Sequence, residues 1–366
     1  MSKEQAIQPL HLNIPAFVDA DIPVIPFGKR SNADETVAAL VAGKYVLIAN
    51  LFSDGLSLLK SLKYYLKKKH QGETFLEQRT YREEYARLSQ QVLLEIANHQ
   101  ITAKKSPEIG WLKILYPELE KFQLSFPQVQ GLNSSWQWYT NGITIPVLRN
   151  KIHPYYGVYF PTRFDHLILF DNWLKRYEGP KKSAIDVGIG SGVLSFQLIK
   201  HGFQKSFGTD NNPNAMIGLQ EAMEGTKMAR KVELTYGDLF ADIDKPTELI
   251  VFNPPWLAAT SAIENLDHAI YYNEELFPAF FAAAKEYLLQ DGKIAILFSN
   301  LGKITKTSVE CPITKELEHG GRFELDAMLQ RPVKQASEKT KRNQSWRAEE
   351  EVELWILKHK EGNSLE

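Results

Sequence analysis

The chain is poor in cysteine: Cys311 stands alone among 366 residues. A single thiol excludes an intrachain disulfide framework and a cysteine-built zinc centre, and it suits a reducing compartment. Cys311 precedes Pro312 and has no base placed near it by the sequence, so it reads as a loop or buried thiol rather than a nucleophile. Long apolar runs are also missing. None approaches the roughly 18 residues that a membrane helix needs, and the opening MSKEQAIQPLHLNIPAF has no secretory apolar core. A soluble, cytoplasmic protein with no membrane partner and no metal is expected. Charge of one sign is lacking too, with 43 Lys and Arg against 44 Asp and Glu for a net charge of −1. Residues 1–150 carry net +3 and the remainder −4, which argues against a dedicated nucleic-acid arm. There is no internal repeat.

The chain does have length for two domains and an ordinary 43% hydrophobic content. The expected division is 1–150 and 151–366. The first thirty residues, punctuated by Pro9, Pro15, Pro23 and Pro26, predict an extended arm that buries Ile14, Phe17, Val24, Ile25 and Phe27. A helix and a short strand follow between Asn32 and Leu51. Residues 53–69 predict an amphipathic helix capped by Ser53 or Asp54, with Lys67, Lys68 and Lys69 at its negative pole, a nucleic-acid patch being the lesser alternative for these lysines. Phe75 to His99 reads as one long helix, with Tyr81, Tyr85, Leu88, Val92 and Ile96 on a single face. WQWYTNGITI, from Trp136 to Ile145, alternates across Asn141-Gly142 and predicts a β-hairpin. The N-terminal domain is thus expected to be mainly helical and to end in a hairpin.

From residue 181 the pattern changes. In KKSAIDVGIGSGVLS, Ala184, Ile185 and Val187 form a buried strand, and Gly188, Gly190 and Gly192 follow at alternate positions. Helical spacing then takes over at Val193, Leu194, Phe196, Leu198 and Ile199. Strand, glycine turn and helix open a nucleotide-binding βαβ unit. Further strands end on Asp210 and Asp238, and ELIVFNPPW runs straight into Asn253-Pro254-Pro255-Trp256. Strands are expected at 183–188, 205–210, 231–236, 248–252 and 292–298, with helices at 192–202, 213–223 and 273–290. RFELDAMLQR and EEVELWILKH read as two more strands, separated by a polar segment expected to be a mobile loop.

In these motifs the chain resembles the class I S-adenosylmethionine (SAM) methyltransferases of the amino-methylating group. That group includes the release-factor glutamine methyltransferases and the adenine-N6 DNA and RNA methyltransferases. The resemblance covers about residues 155–358 and rests most on the NPPW tetrapeptide. It implies an α/β fold with a Rossmann-like seven-stranded sheet whose last strand is antiparallel. It implies SAM as cofactor, with Asp186 toward the ammonium, Asp210 on the ribose hydroxyls and Asp238 on the adenine amine. Asn211, Leu239 and the three glycines would complete that site. Asn253 and Pro254 would accept the N–H bonds of a substrate –NH2, Pro255 would stiffen the loop, and Trp256 would stack on a planar group. The family usually has Tyr or Phe at that fourth position, so Trp256 is a departure.

Pro161-Thr162-Arg163 is similar to a segment that flanks the methionine end of SAM in the release-factor enzymes, although Thr162 or Asp165 equally suits a helix cap. The resemblance implies methylation of a planar nitrogen in a protein or RNA, chosen by the N-terminal domain. A small-molecule acceptor stays open. A dinucleotide oxidoreductase is disfavoured because Val193 stands where its fingerprint wants Gly. A non-catalytic module is disfavoured by the intact Asn253, Asp210 and Asp238.

Overall fold

The computed structural model describes residues 10–70, 75–259, 271–305, 310–333 and 349–360. The loop expected between the last two strands therefore lies, for the most part, outside the described residues. The chain divides into two compact units, Leu12–Asn141 and Gly142–Glu366, the latter grouped with Met1–His11.

The first unit runs β1 (Val24–Phe27), α1 (Ala33–Val41), β2 (Tyr45–Ile48), α2 (Phe52–Lys69), α3 (Phe75–Ser89), β3 (Val92–Ala97), β4 (Gln100–Ile101), α4 (Trp111–Leu115), β5 (Lys121–Ser125) and α5 (Phe126–Asn141). Strands β1, β2 and β3 are parallel, and β4 and β5 both pair antiparallel with β3. The expected helices are thus arranged around a five-stranded mixed sheet, so this unit is α/β. Leu58, Leu62 and Leu66 of α2 and Val92, Leu93 and Leu94 of β3 are wholly buried. Neither Ser53 nor Asp54 is the N-cap of α2. Leu51 holds that position, and its N–H donates to Asp54 Oδ2 at 3.1 Å.

Three sequence expectations need correction here. The long helix from Phe75 stops at Ser89, and Val92–Ala97 is a strand. Four-residue spacing is a multiple of the strand period of two, so Leu88, Val92 and Ile96 fit either element. The β-branched and aliphatic run VLLEIA decides for the strand. The hairpin expected over Trp136–Ile145 does not exist, because Trp136 to Asn141 is the last part of α5. Gly142, at φ 66°, follows the helix in the left-handed conformation. Asn-Gly serves a helix C-terminus as well as a two-residue turn. The actual two-residue turn is Asn98-His99, both at positive φ, joining β3 to β4. Finally, Ile14 and Phe17 remain 40% and 47% exposed, although Phe17 meets Tyr116 and Phe122 edge-on.

The second unit runs α6 (Asp165–Leu174), β6 (Ser183–Val187), α7 (Val193–Lys200), β7 (Lys205–Asp210), α8 (Pro213–Met223), β8 (Val232–Tyr236), β9 (Thr247–Phe252), β10 (Leu257–Ala258), β11 (Tyr271–Tyr272), α9 (Leu276–Tyr287), β12 (Leu288–Ser299), α10 (Leu301–Ile304), α11 (Pro312–Lys315), β13 (Phe323–Pro332) and β14 (Glu351–His359). Its seven-stranded sheet has the order β13-β14-β12-β9-β6-β7-β8. The strands from β12 through β9, β6 and β7 to β8 are parallel, and β14 runs antiparallel between β12 and β13. This is the sheet with the antiparallel last strand expected from the sequence. Every residue of β9 is buried, as a central parallel strand requires. A cluster of phenylalanines packs one face, with Phe252 stacked on Phe280 at 4.4 Å. Neither Thr162 nor Asp165 caps α6. Its N-cap is Phe164, without a side-chain bond, and Asp165 pairs with Arg331 at 3.1 Å. Among the described residues no helix is long and apolar enough to cross a membrane.

Buried Asp171 ties α6 to α7. Its carboxylate accepts from Lys200 Nζ and His201 Nε2, both at 2.7 Å, and from Lys175 Nζ at 2.8 Å. Burial alone would raise its pKa, but these donors hold it far below the usual carboxylate range. Asp171→Asn should cost about 1.5–3 kcal/mol at pH 7, the range for hydrogen bonds to a charged group. A depressed folded-state pKa contributes stability above the unfolded value of about 4 and loses it at lower pH. Urea unfolding should therefore show a gap between wild type and variant that holds from pH 7 to about 4 and narrows only below that.

Candidate active site

β6 ends at Val187, and the chain must then turn from a buried strand into α7. Gly188, Gly190 and Gly192 make that turn at φ 68°, 50° and 79°. All three lie in the left-handed region that glycine occupies without strain. A Cβ on Gly192 would meet Leu219 at 2.8 Å and one on Gly190 the Tyr159 carbonyl at 3.5 Å. A Cβ on Gly188 would meet nothing within 4 Å. Backbone at Gly188 thus faces open space.

Two carboxylates flank this turn. Asp186 is buried in β6, and its Oδ2 accepts from the Ser195 N–H at 2.8 Å and the Ser195 hydroxyl at 2.7 Å. Its Oδ1 is buried and has no hydrogen-bond partner among the described residues. Burial pushes this carboxyl up to about 7 against the pull of the Ser195 hydrogen bonds, and the nearby Asp210 charge adds to the rise. Asp210, the last residue of β7, accepts from the Gly190 N–H at 2.8 Å and the Asn212 N–H at 2.9 Å. Burial raises its pKa as well, and those two N–H groups oppose the rise. Each Asp210 oxygen keeps lone-pair capacity for a further donor.

Several residues that sequence reasoning missed hold this frame. Asn212 caps α8 through the Asn214 N–H at 3.1 Å, and its own amide donates to the Gly157 carbonyl at 2.8 Å. The Asn214 amide donates to the Tyr156 carbonyl at 2.8 Å. Together they pin the segment that brings Tyr159 beside Gly190. The Asn212-Pro213 pair is a readable helix start; Ser195 and Asn214 carry no such signal.

Asn211 and Asp238 are both exposed, and the Asn211 amide donates to Asp238 Oδ1 at 3.5 Å. Leu239 has φ 49° and accepts the Thr209 hydroxyl on its carbonyl. Thr162 is exposed, and the Arg163 guanidinium is already paired with buried Glu350 at 2.5 Å.

On the other side of β6, Val187 and Phe252 are register partners, so Gly188 and Asn253 leave the sheet side by side. Asn253 Oδ1 is buried and has no donor among the described residues. Pro254 is buried, and Pro255 and Trp256 are half-buried. The Trp256 indole N–H donates to the Leu297 carbonyl at 3.3 Å. Its ring meets His166 edge-on, at 5.3 Å and 90°. Burial lowers the His166 pKa to about 4, against a small opposing push from Asp165, so the imidazole is neutral at pH 7. Burial pushes the Cys311 thiol up, away from a reactive thiolate.

These residues fit SAM. Bare backbone at Gly188, spare acceptor capacity on Asp186 and Asp210, and an acceptor at Asn253 without a donor match a ligand with an ammonium, a ribose diol and a transferable methyl. Residues 151–318 match the family model described as the methyltransferase small domain. A relative from Methanocaldococcus jannaschii, named "Putative protein N5-glutamine methyltransferase", is 29% identical over 202 residues, covering 53% of this chain and 94% of that one. A ribosomal protein L11 methyltransferase of Thermosipho africanus is 36% identical over 81 residues, 22% of this chain and 30% of its own length. The ribosomal RNA small subunit methyltransferase C of Alcanivorax borkumensis is 28% identical over 117 residues, 31% of this chain and 35% of its own. The chain thus spans about a third of the length of the last two. The solved ribosomal protein L11 methylase of Lactobacillus delbrueckii is 20% identical, covers 57% of this chain and 84% of its own, and gives a TM-score of 0.36.

The sheet order is the one implied by the resemblance to the class I SAM-dependent methyltransferases. The match to the methyltransferase small domain model spans residues 151–318, which include β6 to β12 and both carboxylates of the glycine turn.

The raised pKa of Asp186 has a cost in the free protein. An unfolded aspartate ionises near pH 4 while the folded one stays protonated to about 7. Stability therefore falls as pH rises between those values and then levels off. Asp186→Asn removes that loss. In urea unfolding without cofactor, it should stabilise the protein by about 2 kcal/mol more at pH 8 than at pH 5, allowing for partial screening.

Proposed function

We propose that this enzyme transfers the methyl group of SAM to a planar amino or amide nitrogen of a protein or RNA substrate, and that the N-terminal unit selects the substrate. The observation that carries this reading is Asn253. It presents a buried acceptor without a donor, at the mouth of β9, beside the glycine turn. An unsatisfied buried acceptor costs about 1–3 kcal/mol, and a substrate N–H would relieve that cost.

SAM supplies a methyl on a sulfonium, which leaves as a neutral thioether. The chain supplies position and polarity. A planar –NH2 has its lone pair delocalised and is a poor nucleophile. Asn253 Oδ1 and the Pro254 carbonyl accept its two N–H bonds. Holding both hydrogens turns the lone pair toward the methyl and favours the pyramidal nitrogen of the transition state. Proline at 254 and 255 fixes φ in the loop, so this pair of acceptors needs little reorganisation. Trp256 gives a flat wall for the planar group. Asp210 accepts from the ribose hydroxyls and Asp186 from the ammonium, with Asn211, Asp238 and Leu239 at the adenine end.

Label from methyl-labelled SAM, offered to fractionated extract, should enter protein or RNA. Label found only in small molecules would overturn the substrate class. Asn253→Ala should leave SAM affinity nearly unchanged and slow transfer by about 10²–10³-fold, as when one preorganised polar group at a developing charge is lost. Asn253→Asp keeps an acceptor in place and should retain part of the activity. Asp210→Ala should do the opposite, weakening SAM by about 1.5–3 kcal/mol in calorimetry.

A further inference from the structure

The N-terminal unit carries a surface that methyl transfer does not use. Along α2, Leu56, Lys60, Lys63, Tyr64 and Lys67 recur at helical spacing and are all exposed. Tyr64 is 63% exposed, with Lys68 Nζ 4.6 Å from its ring. The neighbouring Lys69 is neutralised by Glu84 at 2.7 Å. Among the described residues, no ion pair engages Lys60, Lys63, Lys67 or Lys68. The one acid of α2, Asp54, accepts the Leu51 N–H and lies near the opposite end of the helix from the lysines.

At its first turn, α2 packs closely on α5. Phe52 stacks on Phe126 at 4.7 Å, and a Cβ on Gly55 would stand 2.2 Å from the same ring. Beyond that contact, the two helices line an open groove of about 500 Å³, within the size range of small-ligand clefts. Phe52, Leu56 and Trp138 supply its apolar wall. Gln130, Asn133 and Gln137 supply amides along the α5 side. Asn133 Oδ1 is buried without a hydrogen-bond partner among the described residues. The sixteen residues of α5 include no Asp, Glu, Lys or Arg, so no carboxylate from α5 opposes the lysines.

We propose that this surface binds single-stranded RNA, with the α2 lysines on the phosphates and one unstacked base in the groove against Trp138. A cationic track leading to an aromatic platform is how single strands are held. Amides that both donate and accept can read a base edge. They also match the ribose 2′-hydroxyl, itself a donor and an acceptor, which DNA lacks. Lys63 lies 5.0 Å from the Tyr85 ring and Lys68 4.6 Å from that of Tyr64, but neither has a carboxylate partner among the described residues, and a protein partner would have no use for a row of such lysines unless it were acidic. The inference does not depend on the methyl-transfer reading, because binding is measured without SAM.

The test uses the full chain and a fluorescein-labelled mixed-sequence RNA 12-mer in fluorescence anisotropy. Wild type should bind the RNA more tightly than the matching DNA. The triple variant Lys60→Ala, Lys63→Ala, Lys67→Ala should bind at least tenfold more weakly and flatten the slope of log K against log salt by about 2, near 0.7 per lost phosphate contact. Trp138→Ala should lose about five- to a hundredfold, the range for one stacked base, with the salt slope unchanged. Circular dichroism checks that both variants are folded. Four outcomes would overturn the proposal: no RNA binding by wild type, unchanged affinity in both variants, equal affinity for DNA, or equally effective competition by polyglutamate of the same charge.

Discussion

A carboxylate buried at the end of a parallel strand is expensive, and the catalytic unit places two of them on either side of one glycine turn. Asp186 and Asp210 are tolerated because backbone reaches them: the Ser195 N–H for the first, the Gly190 and Asn212 N–H groups for the second. The Gly190 and Ser195 N–H groups are available only because the chain turns left-handed three times between β6 and α7. Any side chain that forbade φ near 68° at Gly188 or 50° at Gly190 would rotate these donors away. The turn therefore does two things with one geometry. It solvates the carboxylates with backbone, and it leaves Gly188 bare for a ligand. The uncompensated part, the orphaned Asp186 Oδ1, is the sort of local cost that functional sites carry.

The catalytic fold was readable because parallel strands buried on both faces are near-continuous apolar runs. β9 cannot be mistaken for an amphipathic helix, whereas the helix expected over 273–290 ends at Tyr287 and β12 already begins at Leu288, where the exposed Leu289, Gln290 and Asp291 hide the strand pattern. The N-terminal unit was harder for a physical reason. Its elements are half-exposed, so the patterns are mixed, and two signals were degenerate. Val92 and Ile96 satisfy both periods, and Asn141-Gly142 satisfies both a turn and a helix end. Tertiary context settled each case: β3 pairs with both β2 and β5, which a helix could not do. At Gly142, a Cβ would meet the His153 ring at 2.7 Å.

The candidate site divides along the same line. Residues that act through backbone geometry or strand position announce themselves: Gly188, Gly190, Gly192, Asp210 and Asn253 sit where a period changes. Residues that act by packing do not. His166 lies in the middle of an amphipathic pattern and is distinguished only by what it touches, the ring of Trp256. Arg163 shows the reverse failure. A cation next to the first strand suggests ligand contact, yet Glu350, almost two hundred residues later, already neutralises it. No sequence window contains both partners.

Trp256 brings these threads to the chemistry. A wall for a planar group is most useful when it does not have to be ordered on binding, since immobilising a large side chain at that moment reduces affinity. Two contacts order it in advance, the Leu297 carbonyl on the indole N–H and the His166 edge against the ring. The second contact is constrained further by charge. In the proposed reaction the acceptor nitrogen becomes positive, so a protonated imidazole behind Trp256 would oppose the transition state. Burial holds the His166 pKa near 4, well below any pH at which the enzyme would act in a cell. The support behind Trp256 is therefore neutral, and the two carboxyl groups of the site, Asp186 and Asp210, bring no positive charge to oppose a developing cation. The burial that makes His166 invisible to sequence reading is also what keeps it compatible with the reaction.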